Sequence, residues 1–313
     1  MFYQNWAGGQ GGGLHSLESK PTLVGCTFQD NLAGDQGGGM FTEDSNCVLL
    51  DCTFHGNWSW DGGAVYNNEG SDSRVTGCRF VGNAGLGSGG ALFDAGLNLE
   101  ITNSVFSGNL AYLDGGAAFL APALGVLTNC TFNRNVAEDD ETAQTLALHQ
   151  TVVAMANCIV WDHKGSTGVQ IALAGTAENY AELIVSYCDV LGGVNGVSRA
   201  GPVTVTWGQG NLDANPQFRN PEGPDNVVGT VDDDLHVRSG SPCVDAGDNT
   251  AVPADTDDLD LDGDRLERMS LDLDSLPRFA DDPSTADTGV ADAPLYPWIV
   301  DLGAYELNDP STF

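Results

Sequence analysis

Cys52-Thr53-Phe54-His55-Gly56-Asn57 decides the fold of this chain, because it recurs. Cys26-Thr27-Phe28-Gln29-Asp30-Asn31 precedes it. Cys78-Arg79-Phe80-Val81-Gly82-Asn83, Ser104-Val105-Phe106-Ser107-Gly108-Asn109 and Cys130-Thr131-Phe132-Asn133-Arg134-Asn135 follow. The phenylalanines Phe2, Phe28, Phe54, Phe80, Phe106 and Phe132 stand 26 residues apart, and so do Asn5, Asn31, Asn57, Asn83, Asn109 and Asn135. A unit of that size cannot bury a core by itself, so successive copies must stack on one another.

Working outward from the repeat, each column takes a structural role. Three residues before each cysteine slot stand Leu23, Leu49, Val75, Ile101 and Leu127. The cysteine and phenylalanine columns lie two residues apart and share one face of a strand. Between that strand and the aliphatic column come Gly25, Asp51, Gly77, Asn103 and Asn129, residue types that tolerate a left-handed backbone and so mark a tight corner. The asparagines follow at the next corner, where stacked amides can bond along their own column. Glycine pairs at 12–13, 38–39, 62–63, 89–90 and 115–116 then lead into short apolar strands such as Ala64-Val65-Tyr66 and Ala91-Leu92-Phe93. About three strands and three corners therefore make one coil of about 26 residues. Coils pair as parallel strands roughly 4.8 Å apart, joined by right-handed crossovers. The expected fold class is all-β: a right-handed, single-stranded parallel β-helix.

The repeated Phe-x-x-Asn and Gly-Gly-Ala motifs resemble those of the polymorphic outer-membrane proteins and related surface β-helices. The resemblance implies a pectate-lyase-like solenoid. It says little of activity, because one fold hosts unrelated functions.

The 313 residues include 44 acidic and 11 basic side chains, a formal charge of −33, and Lys20 and Lys164 are the only lysines. Such a composition excludes nucleic acid as a partner, since phosphate neutralisation needs basic groups. It is compatible with cations, with a polysaccharide or cell-surface glycan, and equally with plain solubility in a saline habitat. Cys26, Cys52, Cys78 and Cys130 read as small packing residues of one column, and Ser104 takes the same slot. Cys47 and Cys243 fall off that column, and spacing assigns them no partner. The sequence holds no Cys-x-x-Cys pair, which argues against zinc. No apolar run approaches the roughly 20 residues of a membrane-spanning helix, and no signal peptide is visible. Phe2 and Asn5 already stand in register, so the sequence is expected to begin in mid-coil, with any cap and export signal before it.

Residues 1–137 read as regular β-helix coils and 138–192 as less regular ones. In the second group Met155 and Val185 keep the aliphatic column, Val160 and Val190 replace phenylalanine, and His163 and Gly193 replace asparagine. The segment 138–150 is expected to carry a helical turn. Residues 193–313 read as an acidic, loop-rich C-terminal cap region. Within it Asn215-Pro216-Gln217-Phe218, Gly240-Ser241-Pro242-Cys243-Val244-Asp245-Ala246-Gly247 and Asp301-Leu302-Gly303-Ala304-Tyr305-Glu306 resemble bacterial secreted β-helix proteins that end in a choice-of-anchor Q domain. That resemblance spans roughly residues 150–307 and implies an extracellular or bacterial cell-surface location.

Three groups of residues carry candidate chemistry. Asp258-Leu259-Asp260-Leu261-Asp262-Gly263-Asp264 matches the first half of an EF-hand-like Ca²⁺ loop, in which oxygens at alternate positions converge. Met269 stands where the closing glutamate belongs, which leaves Glu267, Asp272 or Asp274 to complete the shell. The expected cofactor is Ca²⁺, held by Asp258, Asp260, Asp262 and Asp264; the competing reading is a plain acidic loop. Trp58, Trp60 and Tyr112, with Asp61 and Asp114 beside them, suit the faces and hydroxyls of sugars. Their competing role is packing onto neighbouring coils. Glu18, Glu43, Asp44, Glu69 and Asp94 recur after the glycine-pair strand and would form a carboxylate row. In β-helical polysaccharide lyases such rows bind Ca²⁺ beside a basic residue, but Thr53 and Val105 flank Arg79 in its column and offer no acid. No Ser-His-Asp arrangement emerges, and no catalytic residue is assigned. The sequence thus points to a secreted surface β-helix acting as a noncatalytic stalk, adhesive or glycan-contacting module with associated Ca²⁺. The rival is a polysaccharide-degrading enzyme, a lyase or glycoside hydrolase of the pectate-lyase-like class.

Overall fold

A computed structural model describes residues 1–121, 124–138, 145–161 and 168–308. The chain winds as a right-handed parallel solenoid of about seven turns, with about 26 residues per coil. Three eight-stranded parallel sheets run along it. The phenylalanine sheet extends from Phe2–Tyr3 to Asp189–Val190, the glycine-pair sheet from Leu14–Leu17 to Val197–Ala200, and the aliphatic sheet from Thr22–Val24 to Val203–Trp207. A fourth sheet of two-residue strands, from Trp6–Ala7 to Val136–Ala137, lies just after the asparagine corner. The regular coil therefore has four strands where three are expected. The reason lies in the second residue of each short strand: Ala33, Ser59, Gly85, Ala111 and Ala137 are small and buried, so the backbone is drawn inward there and pairs with its neighbours.

Register follows the repeat. Phe28, Phe54, Phe80 and Phe106 face one another across successive strands, and each is 0% exposed. Their rings stack at 4.6–5.0 Å, nearly parallel, and Phe2 and Phe132 extend the pile at both ends. Val160 and Val190 continue the column where phenylalanine stops, and Met155 and Val185 continue the aliphatic one. The corner residues Asp51, Asn103 and Asn129 adopt positive φ of 49–52°, and Gly25 and Gly77 adopt 58° and 64°, so the tight corner falls where the residue types place it.

The asparagines form a continuous ladder. Asn83 Nδ2 donates to Phe54 O of the preceding coil and to Asn109 Oδ1 of the next, at 2.9 and 3.0 Å. Its Oδ1 accepts from both the backbone N and the Nδ2 of Asn57. The pattern repeats from Asn31 to Asn109, and the Asn5–Asn31 pair opens it. The buried ladder amides from Asn31 to Asn109 thereby have both Oδ1 and Nδ2 satisfied.

Where 138–150 is described it is not helical: Leu146–His149 is a strand of the glycine-pair sheet, because Leu146 and Leu148 alternate inward opposite Ala118 and Leu120. Residues 139–144 and His163 lie outside the described residues. All eight cysteines are free. Cys47 lines the core opposite Ser73, and the Cys243 thiol lies buried 3.3 Å from Asp189 Oδ2. Among the described residues no helix is long and apolar enough to cross a membrane.

Candidate functional site

After Trp207 the acidic segment runs back along the outer face of the phenylalanine sheet. Outward-pointing Val105, Ile159 and Trp161 bury against Leu235, Val244 and Leu302, making a second core beside the solenoid interior. Polar contacts fix the register of this flank on the coils. Ser107 Oγ donates to Asp233 Oδ2 at 2.9 Å, Thr131 Oγ1 accepts from Ala304 N at 3.0 Å, and Arg74 pairs with Asp257 at 2.6 Å. The fully buried Arg278 donates to Asn103 Oδ1 and to the carbonyls of Gly303 and Ala304, and its charge lies 3.7 Å from Glu306. Nothing in the repeat announces Arg278; its role appears only when residues 175 positions apart meet.

The flank brings three of the four expected Ca²⁺ ligands together. Oxygens of Asp258, Asp260 and Asp262 lie within 4.8 Å of one another. The turn is shaped by Gly263 N donating to Asp258 Oδ1 at 2.9 Å and Ser270 Oγ to Asp260 Oδ2 at 2.7 Å. Asp264 stands apart, exposed, accepting from Leu266 N. Asp260 also belongs to a second group with Asp255 and Glu267. Asp255 is 1% exposed and its Oδ1 has no hydrogen-bond partner; neither does the buried Oε1 of Glu267. Burial, then Asp262 and Asp260, push the Glu267 carboxyl up to about 7. Unpaired buried oxygens turned toward other carboxylates suit a hard cation. Asp272 and Asp274 are engaged elsewhere: Asp272 accepts from Leu276 N and Glu306 N, and Asp274 binds Arg79 and His236.

The structure also assembles a site that the sequence reading missed. His236 Nδ1 lies 2.7 Å from Asp234 and Nε2 lies 3.1 Å from Asp274, which in turn meets Arg79 at 2.6 Å. The group lines a cavity of about 200 Å³ together with Tyr305, whose ring centroid is 4.1 Å from that of His236. Burial opposes charge on His236, but the bonds to Asp274 and Asp234 outweigh it and hold the imidazole above its ordinary value. Only the acid-x-His spacing of Asp234-Leu235-His236 hinted at it.

The aromatic residues occupy one edge of the coils. Trp58 pairs with Leu32 and Ala84 in the short sheet and is half-buried, whereas Trp60 and Tyr112 are 54% and 57% exposed. Trp6, one column with Trp58, is 74% exposed. Asp61 is half-buried, and its Oδ1 accepts from Ser88 N at 2.8 Å, so it serves the turn first. Asp114 is half-buried near His149.

The carboxylate row expected after the glycine pair does not form. Glu18, Asp44 and Glu69 are exposed, Glu18 and Asp44 at positive-φ corners, but Asp94 pairs with Asn67 and points into the core at 0% exposure. Asp94 stands in register with Asn67 and Thr42 inside the strand, whereas Asp44 and Glu69 come two residues later, past its end, so the acids do not share one column. On the aliphatic sheet an open groove of about 610 Å³ holds Asp72, Arg74, Asn98 and Glu100 above Leu124 and Val126. Arg74 and Glu100 are adjacent across strands there.

A family model described as the right-handed β-helix region matches residues 3–121. No curated protein and no solved structure matches the chain.

Proposed function

We propose that the protein is an extracellular or cell-surface β-helix, a noncatalytic stalk or adhesive module that presents an aromatic edge to glycans and carries Ca²⁺ on its acidic flank. The observation that carries the reading is the edge itself. Trp6, Trp60 and Tyr112 keep more than half of their surface in solvent although the columns beside them are buried. Flat rings with polar tips along one edge of the coils suit sugar faces. The resemblance of the Phe-x-x-Asn repeats and of 241–247 and 301–306 to surface β-helices supports the location. Asp258, Asp260 and Asp262, joined by Asp255 and Glu267, support Ca²⁺ as the cation: the set is all oxygen and offers no imidazole or thiolate. A glycan array with and without Ca²⁺, run on the wild type and on Trp60→Ala/Tyr112→Ala, tests the reading. Binding that the double variant loses is expected. No bound glycan, or binding that the variant leaves intact, overturns it.

The rival reading, a polysaccharide-degrading enzyme, draws on the groove in which Arg74 stands beside Glu100 and Asp72. Arg74 is already paired with Asp257, which argues against a free base. Release of ultraviolet-absorbing unsaturated products from acidic polysaccharides, abolished by Arg74→Ala, would establish the enzyme instead.

A further inference from the structure

We propose that Asp245, Asp281 and Asp287 form a second site for a hard divalent cation of the Ca²⁺ class, separate from the loop at 255–267. One carboxylate oxygen from each lies within 4.8 Å of the others. Asp281 and Asp287 are exposed, but Asp245 is 1% exposed, and its Oδ2 is buried without a hydrogen-bond partner. A buried carboxylate oxygen left unpaired is costly, and two more carboxylates stand beside this one. The charges that act most on the buried Asp245 are those of Asp301, Asp281 and Asp287, all negative, so like-charge repulsion adds to the cost of burial. A cation among the three would remove both penalties.

The fold holds each ligand in place by independent contacts. Asp245 is the aspartate of Ser241-Pro242-Cys243-Val244-Asp245-Ala246-Gly247, a motif that the aromatic edge and the 255–267 loop leave unused. It sits at φ 51°, with its backbone N donating to Asp301 Oδ1 at 2.8 Å. Its carbonyl accepts from Thr288 N and Gly289 N at 2.9 and 3.0 Å, which brings Asp287 alongside. Next to Asp281, the Asp282 carboxylate accepts from Ser239 Oγ at 3.1 Å and from Thr285 Oγ1 at 2.8 Å, anchoring the other end of the loop. Three carboxylates without nitrogen or sulfur select a hard ion, and the two exposed ligands leave room for the waters that complete a flexible Ca²⁺ shell. A bound ion would staple 281–289 onto the flank.

The test isolates this site by using full-length Asp260→Asn/Asp262→Asn as the parent, and adding Asp281→Asn/Asp287→Asn, both solvent-exposed positions whose change leaves the fold intact. Calorimetric Ca²⁺ titration is expected to show saturable binding to the parent, weakened at least tenfold in the quadruple variant. Hydrogen exchange at Thr288 and Gly289 is expected to slow with Ca²⁺ in the parent only. A parent that binds no Ca²⁺, or a quadruple variant that binds as tightly as the parent, overturns the proposal. Asp281→Asn/Asp287→Asn alone reports the 255–267 loop, so the two sites stand or fall separately.

Discussion

Asp94→Asn is expected to stabilise the coils at neutral pH and to change little in acid. Asp94 is 0% exposed on the inner face of the glycine-pair sheet. Asn67 Nδ2 and Gly96 N donate to it at 2.7 and 3.0 Å, yet burial outweighs both bonds and raises its pKa from 3.8 to about 6. That gap corresponds to roughly 3 kcal/mol. Because the folded-state value lies above the unfolded one, the carboxyl is protonated in both states below about pH 4, and no stability is lost. As pH rises toward 6 the unfolded chain releases its proton first and stability falls; above 6 the whole ~3 kcal/mol is gone. Asparagine cannot ionise and escapes this loss. It also fits the hydrogen bonds: its Oδ1 keeps Gly96 N, Asn67 turns over to accept from the new amide, and the Thr42 hydroxyl, 2.7 Å from Asn67, becomes the acceptor. Urea unfolding of both proteins at intervals from pH 4 to pH 8 gives a difference curve in which the other acids cancel. A difference that stays flat over that range, or a variant less stable at pH 8, would refute the burial argument.

Phe80→Ala should cost about 3–5 kcal/mol in denaturant titration, since its buried ring stacks on Phe54 and Phe106; a loss below about 1 kcal/mol would contradict the stacked core. Asn83→Ala should cost at least about 1–3 kcal/mol, because it leaves Phe54 O, Asn109 Oδ1 and the Asn57 amides short of partners. Asn5→Ala, at an exposed position that bonds to Asn31, should cost clearly less, and equal effects would reduce the ladder to a turn preference. Chelation should open residues 250–275 to protease before the coils up to 137, and Asp260→Asn/Asp262→Asn should abolish that Ca²⁺ dependence; identical cleavage patterns with and without chelator would mean a plain acidic loop.

The solenoid was legible because the sequence repeats in step with the structure. A residue that recurs every 26 positions meets its own copy one strand away, so the phenylalanine pile, the asparagine ladder and the left-handed corners at Asp51, Asn103 and Asn129 can be read column by column. The fourth strand was hidden in the same columns, since only the small buried residues Ala33, Ser59 and Ala111 mark it. Asp94 was misread for a related reason. The loops before it vary in length, so the sequence did not show that Asp94 aligns with the inward Asn67 and Thr42 while Asp44 and Glu69 fall past the strand's end.

The acidic flank has no such internal ruler. Local spacing was enough to bring Asp258, Asp260 and Asp262 together, because alternate carboxylates in a tight turn converge whatever lies around them. It could not show that Asp255 and Glu267 join them, that Asp264 does not, or that Asp245 meets Asp281 and Asp287. Nor could it pair Arg74 with Asp257, or gather Arg79, Asp274 and His236 round one cavity. The period alone determined the coil and its ladders. Which charges meet was decided only by the tertiary structure, because those contacts form when an aperiodic segment packs its apolar side chains onto the outer face of the phenylalanine sheet.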